Sequence, residues 1–172
     1  MNDILELENR RQLFDLILRS PGLHLRELQR QLDWVMGQLE YHLDRLEDAG
    51  LVQAEKERQF KRCFPSELAP ADRNILGPLR QEAPRQVVLQ LLQAPSTPSE
   101  LSRQLKIPLS TLSEYLKTLL ESDIATVKQE GRVRTYSIRN PNQILNNLVT
   151  YRPSFIDSMV DRFLDTWLEM YR

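Results

Sequence analysis

Cysteine is almost absent from this sequence, since its 172 residues contain only Cys63. A single cysteine can form neither an internal disulfide nor a cysteine-rich metal site. No apolar run approaches the roughly 20 residues that a membrane-spanning helix requires. The N-terminal segment MNDILELENRR lacks the charged-then-apolar order of a signal peptide. We therefore expect a cytoplasmic protein with no membrane contact, no bound metal and no cofactor.

Glycine and net positive charge are also scarce. Five glycines in a chain that is 41% hydrophobic and 27% charged indicate a globular protein rich in helix-forming residues. The 23 lysines and arginines are balanced by 24 aspartates and glutamates, which gives a net charge of −1. Proteins dedicated to nucleic acid usually carry a basic surplus. Any basic face on this chain must therefore come from local segregation of charge.

Residues 97–138 have the pattern of two short helices followed by a hairpin. The sequence TPSE at 97–100 predicts a helix start with a capping box and a proline in the first turn. Pro108 ends this helix, and a second helix from Leu109 carries leucines at helical spacing on one face. Two strands around Gly131 follow. This order predicts a winged helix-turn-helix, in which the second helix is the recognition helix.

The same pattern occurs earlier in the chain. Glu27-Leu28 matches Glu100-Leu101. The leucines of the third predicted helix, Leu39, Leu43 and Leu46, match those of the later recognition helix, Leu112, Leu116 and Leu119. The sequence NRRQ at 9–12 predicts a capping box for the first helix. The two halves are therefore one structural unit repeated.

The predicted fold class is mainly α with small β-wings (α+β). It comprises two tandem winged helix-turn-helix domains and a C-terminal dimerisation helix. We expect the first domain at residues 1–65, a stiff proline-rich linker with one helical turn near Ile75 at 66–80, the second domain at 81–139, and C-terminal helices at 140–172.

The C-terminal segment carries a wide apolar stripe. After a predicted N-cap at Ser154, two rows of apolar residues run along one helix. One interpretation is that this helix folds back onto the first helix of its own domain. We favour the other, a dimerisation helix paired across a two-fold axis. Its contact residues are then Phe155, Ile156, Met159, Val160, Phe163, Leu164 and Trp167.

The second domain has the clearer pattern for DNA contact. Polar residues at the start of its recognition helix can reach base edges, and basic residues of its wing can reach phosphates. These candidates are Ser110, Thr111, Ser113, Glu114, Lys117, Lys128, Arg132 and Arg134. The alternative is that serine and threonine only favour a helix start, while the basic residues form a solvated hairpin.

The first domain has candidates for DNA contact on a more acidic background. They are Gln38, Tyr41, Arg45, Arg58, Lys61 and Arg62. Acidic residues of the same helix would be repelled by phosphate and must be offset by the basic wing. The alternative is that this helix contacts a protein partner.

Other polar residues have structural interpretations. His42 lies between core leucines and His24 has no partner with ligand spacing, so neither is expected to bind metal. We expect Cys63 to be a buried strand residue. Because no nucleophile, base and acid set can be assembled, we expect no enzymatic activity.

The sequence resembles archaeal transcriptional regulators that carry two tandem winged helix-turn-helix domains and are akin to the ArsR-like regulators. The resemblance lies in SPGLHLREL at 20–28, GQLEYHL at 37–43, GRVRTYS at 131–137 and the tail from Tyr151 to Trp167. It implies binding of double-stranded DNA as a homodimer, with no metal sensing because the cysteine-rich helices are missing. Cys63 stands where that family usually has a tyrosine.

The leading hypothesis is a homodimeric DNA-binding transcriptional regulator. Its rival is a tandem winged-helix scaffold for chromosome organisation or assembly that reads little DNA directly, which the acidic first domain and the near-neutral charge favour. A third hypothesis is small-molecule sensing between the linker and the tail.

Overall fold

The computed structural model describes residues 3–57 and 60–170, which divide into two compact units near Arg73. The first unit opens with a 3-10 turn at Asp3–Leu5. Its helices are α1 (Glu8–Arg19), α2 (Leu25–Leu32) and α3 (Met36–Asp48). Its strands are β1 (Leu23–His24), β2 (Val52–Glu57) and β3 (Phe60–Pro65).

The second unit repeats this order and extends it. Helix α4 (Pro70–Leu79) crosses the division between the units. The elements that follow are α5 (Glu82–Gln93), α6 (Pro98–Leu105), α7 (Leu109–Glu121), β4 (Ala125–Glu130), β5 (Val133–Ile138), α8 (Pro141–Thr150), a 3-10 turn at Arg152–Ser154 and α9 (Met159–Met170). The described residues thus form two helix-turn-helix units with small antiparallel wings, which confirms the mainly α fold with two tandem winged domains.

Each unit has its own apolar core. The repeated leucines face inward in both: Leu39, Leu43 and Leu46 of α3 are buried in the first, and Leu112, Leu116 and Leu119 of α7 in the second. The repeat also includes a contact too short to predict from periodicity. Strand β1 pairs Leu23 with Cys63 in the first sheet, and a bridge joins Ser96 to Tyr136 in the second unit.

Helix starts were predicted with mixed success. The capping box of α6 is confirmed, because the Thr97 hydroxyl accepts from the Glu100 N–H while Glu100 accepts from the Thr97 N–H. The predicted caps of the first and last helices are wrong. Helix α1 begins after Leu7 without a side-chain cap. At α9, the carboxylate of Asp157 accepts from the Met159 N–H at 3.1 Å.

The stretch predicted as a stiff linker contains the ten-residue helix α4 instead of one helical turn. The prolines that suggested a linker lie near the ends of regular elements. Pro65 ends β3, Pro70 opens α4, Pro78 lies in its last turn and Pro84 lies in the first turn of α5. A first-turn proline gives up no helical hydrogen bond, so proline content alone misrepresented this stretch.

No helix in the described ranges is long and apolar enough to cross a bilayer.

Candidate nucleic-acid interface

Helix α7 presents a polar face at its N-terminal end. Leu112, Leu116 and Leu119 are buried in the core, whereas Leu109, the first residue of the helix, is 51% exposed. The predicted contact residues on this helix are all exposed: Ser110, Thr111, Ser113, Glu114 and Lys117. The Ser113 hydroxyl donates to the Leu109 carbonyl at 2.8 Å. Its donor is thus used within the helix, which leaves the hydroxyl lone pairs to accept from a base.

The turn before α7 is fixed by local contacts. Lys106 ends α6 in the left-handed conformation with φ of 57°. The Ser102 hydroxyl donates to the Ile107 carbonyl at 2.7 Å. Leu101 and Leu112, on opposite sides of the turn, are both fully buried. The position of the α7 polar face therefore follows from α6 and from this hydrogen bond.

The second wing is a hairpin with a two-residue turn, Gly131-Arg132. Its register pairs Lys128 with Thr135 and Gln129 with Arg134. Because neighbouring residues of a strand point to opposite faces, Lys128 and Arg134 lie on opposite faces of the wing. Lys128 pairs with Glu130 at 2.6 Å, and the Arg134 Nε donates to Gln129 at 3.3 Å. Both basic residues are exposed, as is Arg132 at the turn.

Helix α3 of the first unit has a mixed face. Tyr41 is half exposed, and the guanidinium of Arg45 lies 5.5 Å from its ring centre. Gln38 is partly buried. The exposed acidic residues are Glu40, Asp44 and Asp48. Glu47, in contrast, accepts from the Ala54 N–H at 3.0 Å and so belongs to the packing of the wing against the helix.

The first wing carries a cross-strand pair of lysines that was not predicted from the sequence. Lys56 and Lys61 lie directly opposite each other across β2 and β3, and both are exposed. Like charges in such a cross-strand pair are destabilising. The sequence does not reveal this pair, because it depends on the register between β2 and β3. Arg58, predicted to contact DNA, lies outside the described residues.

The prediction for Arg62 is wrong. Its side chain is buried, with 3% exposed, and its Nη1 donates to the Gly22 carbonyl at 2.9 Å while its Nε bonds the Glu57 carboxylate. Strand β1 covers this position, since His24 pairs with Arg62. Arg62 is therefore a structural residue instead of the predicted surface residue. The strand that buries it is too short to be predicted from sequence periodicity.

Burial shifts the pKa values of two histidines and the cysteine of the first unit. Burial, aided by the charge of Arg10, lowers the pKa of His42. The ring centroid of His42 lies 5.5 Å from that of Trp34. Burial and the charge of Arg62 lower the pKa of His24. Burial raises the pKa of Cys63 to about 12, so its thiol stays protonated. The described residues contain no group of three or more His, Cys, Asp or Glu arranged for a metal.

The predicted dimerisation residues are largely used within the second unit. Phe155, Val160, Phe163 and Leu164 belong to its buried core. These contacts correct the favoured interpretation, because Val160, Phe163 and Leu164 of α9 pack on their own unit. Of the other three, Ile156 is 78% exposed, and Met159 and Trp167 pack partly against the core.

Comparisons with known families agree with the two-unit architecture. A model described as an N-terminal HTH domain matches residues 7–76. The model of the arsR family of bacterial regulatory proteins matches residues 83–127. The two matches fall on successive helix-turn-helix units, which confirms the resemblance drawn from the sequence.

One curated relative and several solved structures are similar to the chain. An uncharacterized HTH-type transcriptional regulator of Methanocaldococcus jannaschii is 30% identical over 131 residues, 76% of this chain. The aligned part spans about a third of that relative, 33% of its length. HlyU from Vibrio cholerae is 21% identical with a TM-score of 0.43, over 48% of this chain and 89% of that one. The transcriptional repressor BigR from Xylella fastidiosa is 24% identical with a TM-score of 0.42, over 46% of this chain and 81% of that one.

Proposed function

We propose that this tandem winged helix-turn-helix protein, whose second unit matches the arsR family, is a DNA-binding transcriptional regulator that acts as a homodimer without enzymatic activity. The observation that carries the proposal is the exposed polar start of α7 beside an exposed basic wing in the same unit. A recognition helix and a wing are the two parts with which this motif contacts a duplex. The proposal also places the protein in the cytoplasm.

The second unit reads sequence in this proposal. The first turns of α7 enter the major groove, where Ser110 and Thr111 contact base edges and Glu114 accepts from cytosine N4. Lys117 contacts a phosphate. Because Lys128 and Arg134 lie on opposite faces of the wing, they contact phosphates on both sides of it, with Arg132 at its tip.

The first unit binds phosphate more than it reads bases. Lys56 and Lys61 repel each other in the free protein. A phosphate between them converts that repulsion into two charge-assisted contacts. Arg45, Tyr41 and Gln38 add contacts along α3, at a cost from the exposed carboxylates of the same helix.

The homodimer uses apolar surface that the second core leaves exposed. Ile156, which precedes α9, is 78% exposed, and Leu168, near the end of α9, is 53% exposed. Two-fold pairing is the commonest way for such surface to be covered. Light scattering on the wild type and on Leu168→Asp tests this step, since the charged variant is expected to be monomeric.

Fluorescence anisotropy on promoter DNA and on a scrambled duplex, across a salt series, tests DNA binding. We expect tighter binding to the promoter. The logarithm of the affinity should fall with the logarithm of salt at roughly 0.9 per neutralised phosphate. Equal affinity for both duplexes would show that the protein binds DNA without sequence specificity. No binding at low salt would contradict DNA binding altogether.

A protein-binding role for the first unit is the second candidate. The observation that favours it is the exposed carboxylate set Glu40, Asp44 and Asp48 on α3. Replacing all three with the matching amides tests it. Tighter DNA binding would mean that these carboxylates only oppose phosphate, whereas loss of a co-purifying protein at unchanged DNA affinity would support the scaffold.

A further inference from the structure

The second unit contains a groove between α5, α6 and α9. Its volume is about 680 Å³, within the roughly 300–1,000 Å³ range of small-molecule sites. The lining residues are Gln86, Leu89, Gln90, Gln93, Gln104 and Leu105 from α5 and α6, and Met159, Arg162, Phe163, Thr166, Trp167 and Met170 from α9. None of these is among the residues proposed to contact DNA.

The two walls of this groove differ in chemistry. Helix α9 supplies a flat apolar wall, in which the rings of Phe163 and Trp167 are stacked 5.5 Å apart with 29° between their planes. Helices α5 and α6 supply four glutamine amides, which can both donate and accept hydrogen bonds. A flat apolar molecule with a polar edge is complementary to such a pair of walls.

Arg162 gives the groove its charge. It is the one charged residue among the twelve that line the groove. The nearest acids along α9 are engaged elsewhere, because Asp161 and Asp165 pair with Arg152 at 2.5 Å and 2.8 Å. Across the described ranges, no carboxylate lies within ion-pair distance of Arg162. The groove therefore offers one uncompensated positive charge.

A second copy of the chain suits this groove less well than a small anion. In a two-fold interface the same surface patch meets itself. The lining residues include no acid, so the same patch on a second copy would bring Arg162 another cation instead of a carboxylate. Four amides would also have to be desolvated without assured partners.

We propose that this groove binds a small organic monoanion with a flat apolar body, whose acid group pairs with Arg162 and whose body packs on Phe163 and Trp167. Gln104 and Leu105 lie at the end of α6, which only three residues separate from α7. Binding therefore acts at the helix that positions the recognition helix. This regulatory consequence rests on the proposed function, but ligand binding itself does not.

Two dyes that share one apolar body separate charge from hydrophobicity. 1-Anilinonaphthalene-8-sulfonate is the monoanion, and N-phenyl-1-naphthylamine is its neutral counterpart. The chain has two tryptophans, so Trp34→Phe leaves Trp167 as the only tryptophan reporter. We expect one sulfonate dye per chain, with energy transfer from Trp167, and weaker binding of the neutral dye.

Arg162→Gln is the decisive variant and Arg103→Gln its matched control, since both arginines are exposed and only Arg162 lines the groove. We expect Arg162→Gln to weaken sulfonate binding roughly tenfold, the effect of one charge-assisted hydrogen bond, and to leave the neutral dye unchanged. Thr166→Phe, which fills the groove, should weaken both dyes.

Equal sulfonate binding in the two glutamine variants would overturn the site. So would equal binding of the two dyes by the wild type, because the groove would then recognise apolar surface and no charge. If DNA binding occurs, saturating dye should shift its affinity severalfold in the wild type and not in Arg162→Gln. If the free protein does not bind DNA, the regulatory proposal fails while the dye titration still decides the groove.

Discussion

Asp33 and Lys106 adopt the same left-handed backbone conformation, with φ of 55° and 57°, at the equivalent turn of each helix-turn-helix. Asp33 ends α2 and Lys106 ends α6, the first helix of each helix-turn-helix. The turn geometry is therefore the same in both units, although the residue type differs. Aspartate tolerates this conformation better than lysine, because its short polar side chain can bond locally. The backbone of the second turn is therefore the more strained.

Lys106→Gly is expected to stabilise the second unit by about 1 kcal/mol, because glycine adopts positive φ without a Cβ clash. Asp33→Gly should change the first unit less. Urea unfolding followed through Trp167 in a Trp34→Phe background measures the second unit. Lys117→Gly is the control, since it should destabilise by about 1 kcal/mol within the regular α7. Destabilisation by Lys106→Gly would mean that the lysine side chain matters more than its backbone.

Replacing Arg132 and Arg134 together by alanine is expected to weaken binding to all DNA sequences. The salt slope should fall by about 0.9 for each phosphate that the variant no longer neutralises. Anisotropy across a salt series measures both effects. Arg19→Ala is the control, because Arg19 is exposed on α1, outside both wings and both recognition helices. A slope that stays constant in the double variant would show that the wing does not bind phosphate.

Lys61→Glu is expected to raise the free energy of unfolding of the first unit by about 0.2–1 kcal/mol, because it replaces a cross-strand repulsion with an attraction to Lys56. The same change should weaken DNA binding. A variant that is more stable but binds DNA more weakly would show that the lysine pair serves phosphate binding and not folding. Lys61→Gln is the control and should show both effects at smaller size. If affinity does not fall, the lysine pair does not bind phosphate.

The sequence was sufficient for the parts of this fold that repeat or follow short-range rules. The leucine spacing of α3 and α7, the capping box at Thr97 and the Gly50 stop after α3 depend on local chemistry, and all three are present. The stop equivalent to Gly50 in the second unit is Asp123, with φ of 57°. A glycine indicates such a conformation in a sequence, whereas an aspartate does not.

The candidate site was less predictable because it depends on pairing across strands. The burial of Arg62 follows from the two-residue strand β1, and the Lys56–Lys61 pair follows from the register of β2 with β3. Neither is encoded by spacing along one segment. The C-terminal stripe was visible in the sequence, but its partner was not, since an apolar row looks the same whether it packs on its own unit or on a second copy.

Acidification is expected to destabilise the first unit through His42. Burial lowers its pKa in the folded state. The neutral imidazole therefore contributes stability that is fully present above the unfolded value near 6.5 and is lost as pH falls through the lower folded value. Urea unfolding at pH 7.5 and 5.5, followed through Trp34 in a Trp167→Phe background, measures this loss.

His42→Tyr isolates this contribution, because a phenol has no basic nitrogen to protonate. Tyrosine also suits the position, since Tyr115 holds the equivalent one in the second unit. The variant should lose less stability between the two pH values than the wild type does. His24→Phe is a useful comparison, since His24 also has a lowered pKa but contacts Phe60 instead of Trp34. Protonation of His42 should also quench Trp34, whose ring lies 5.5 Å away. An emission titration that is unchanged in His42→Tyr would assign the pH response to another group.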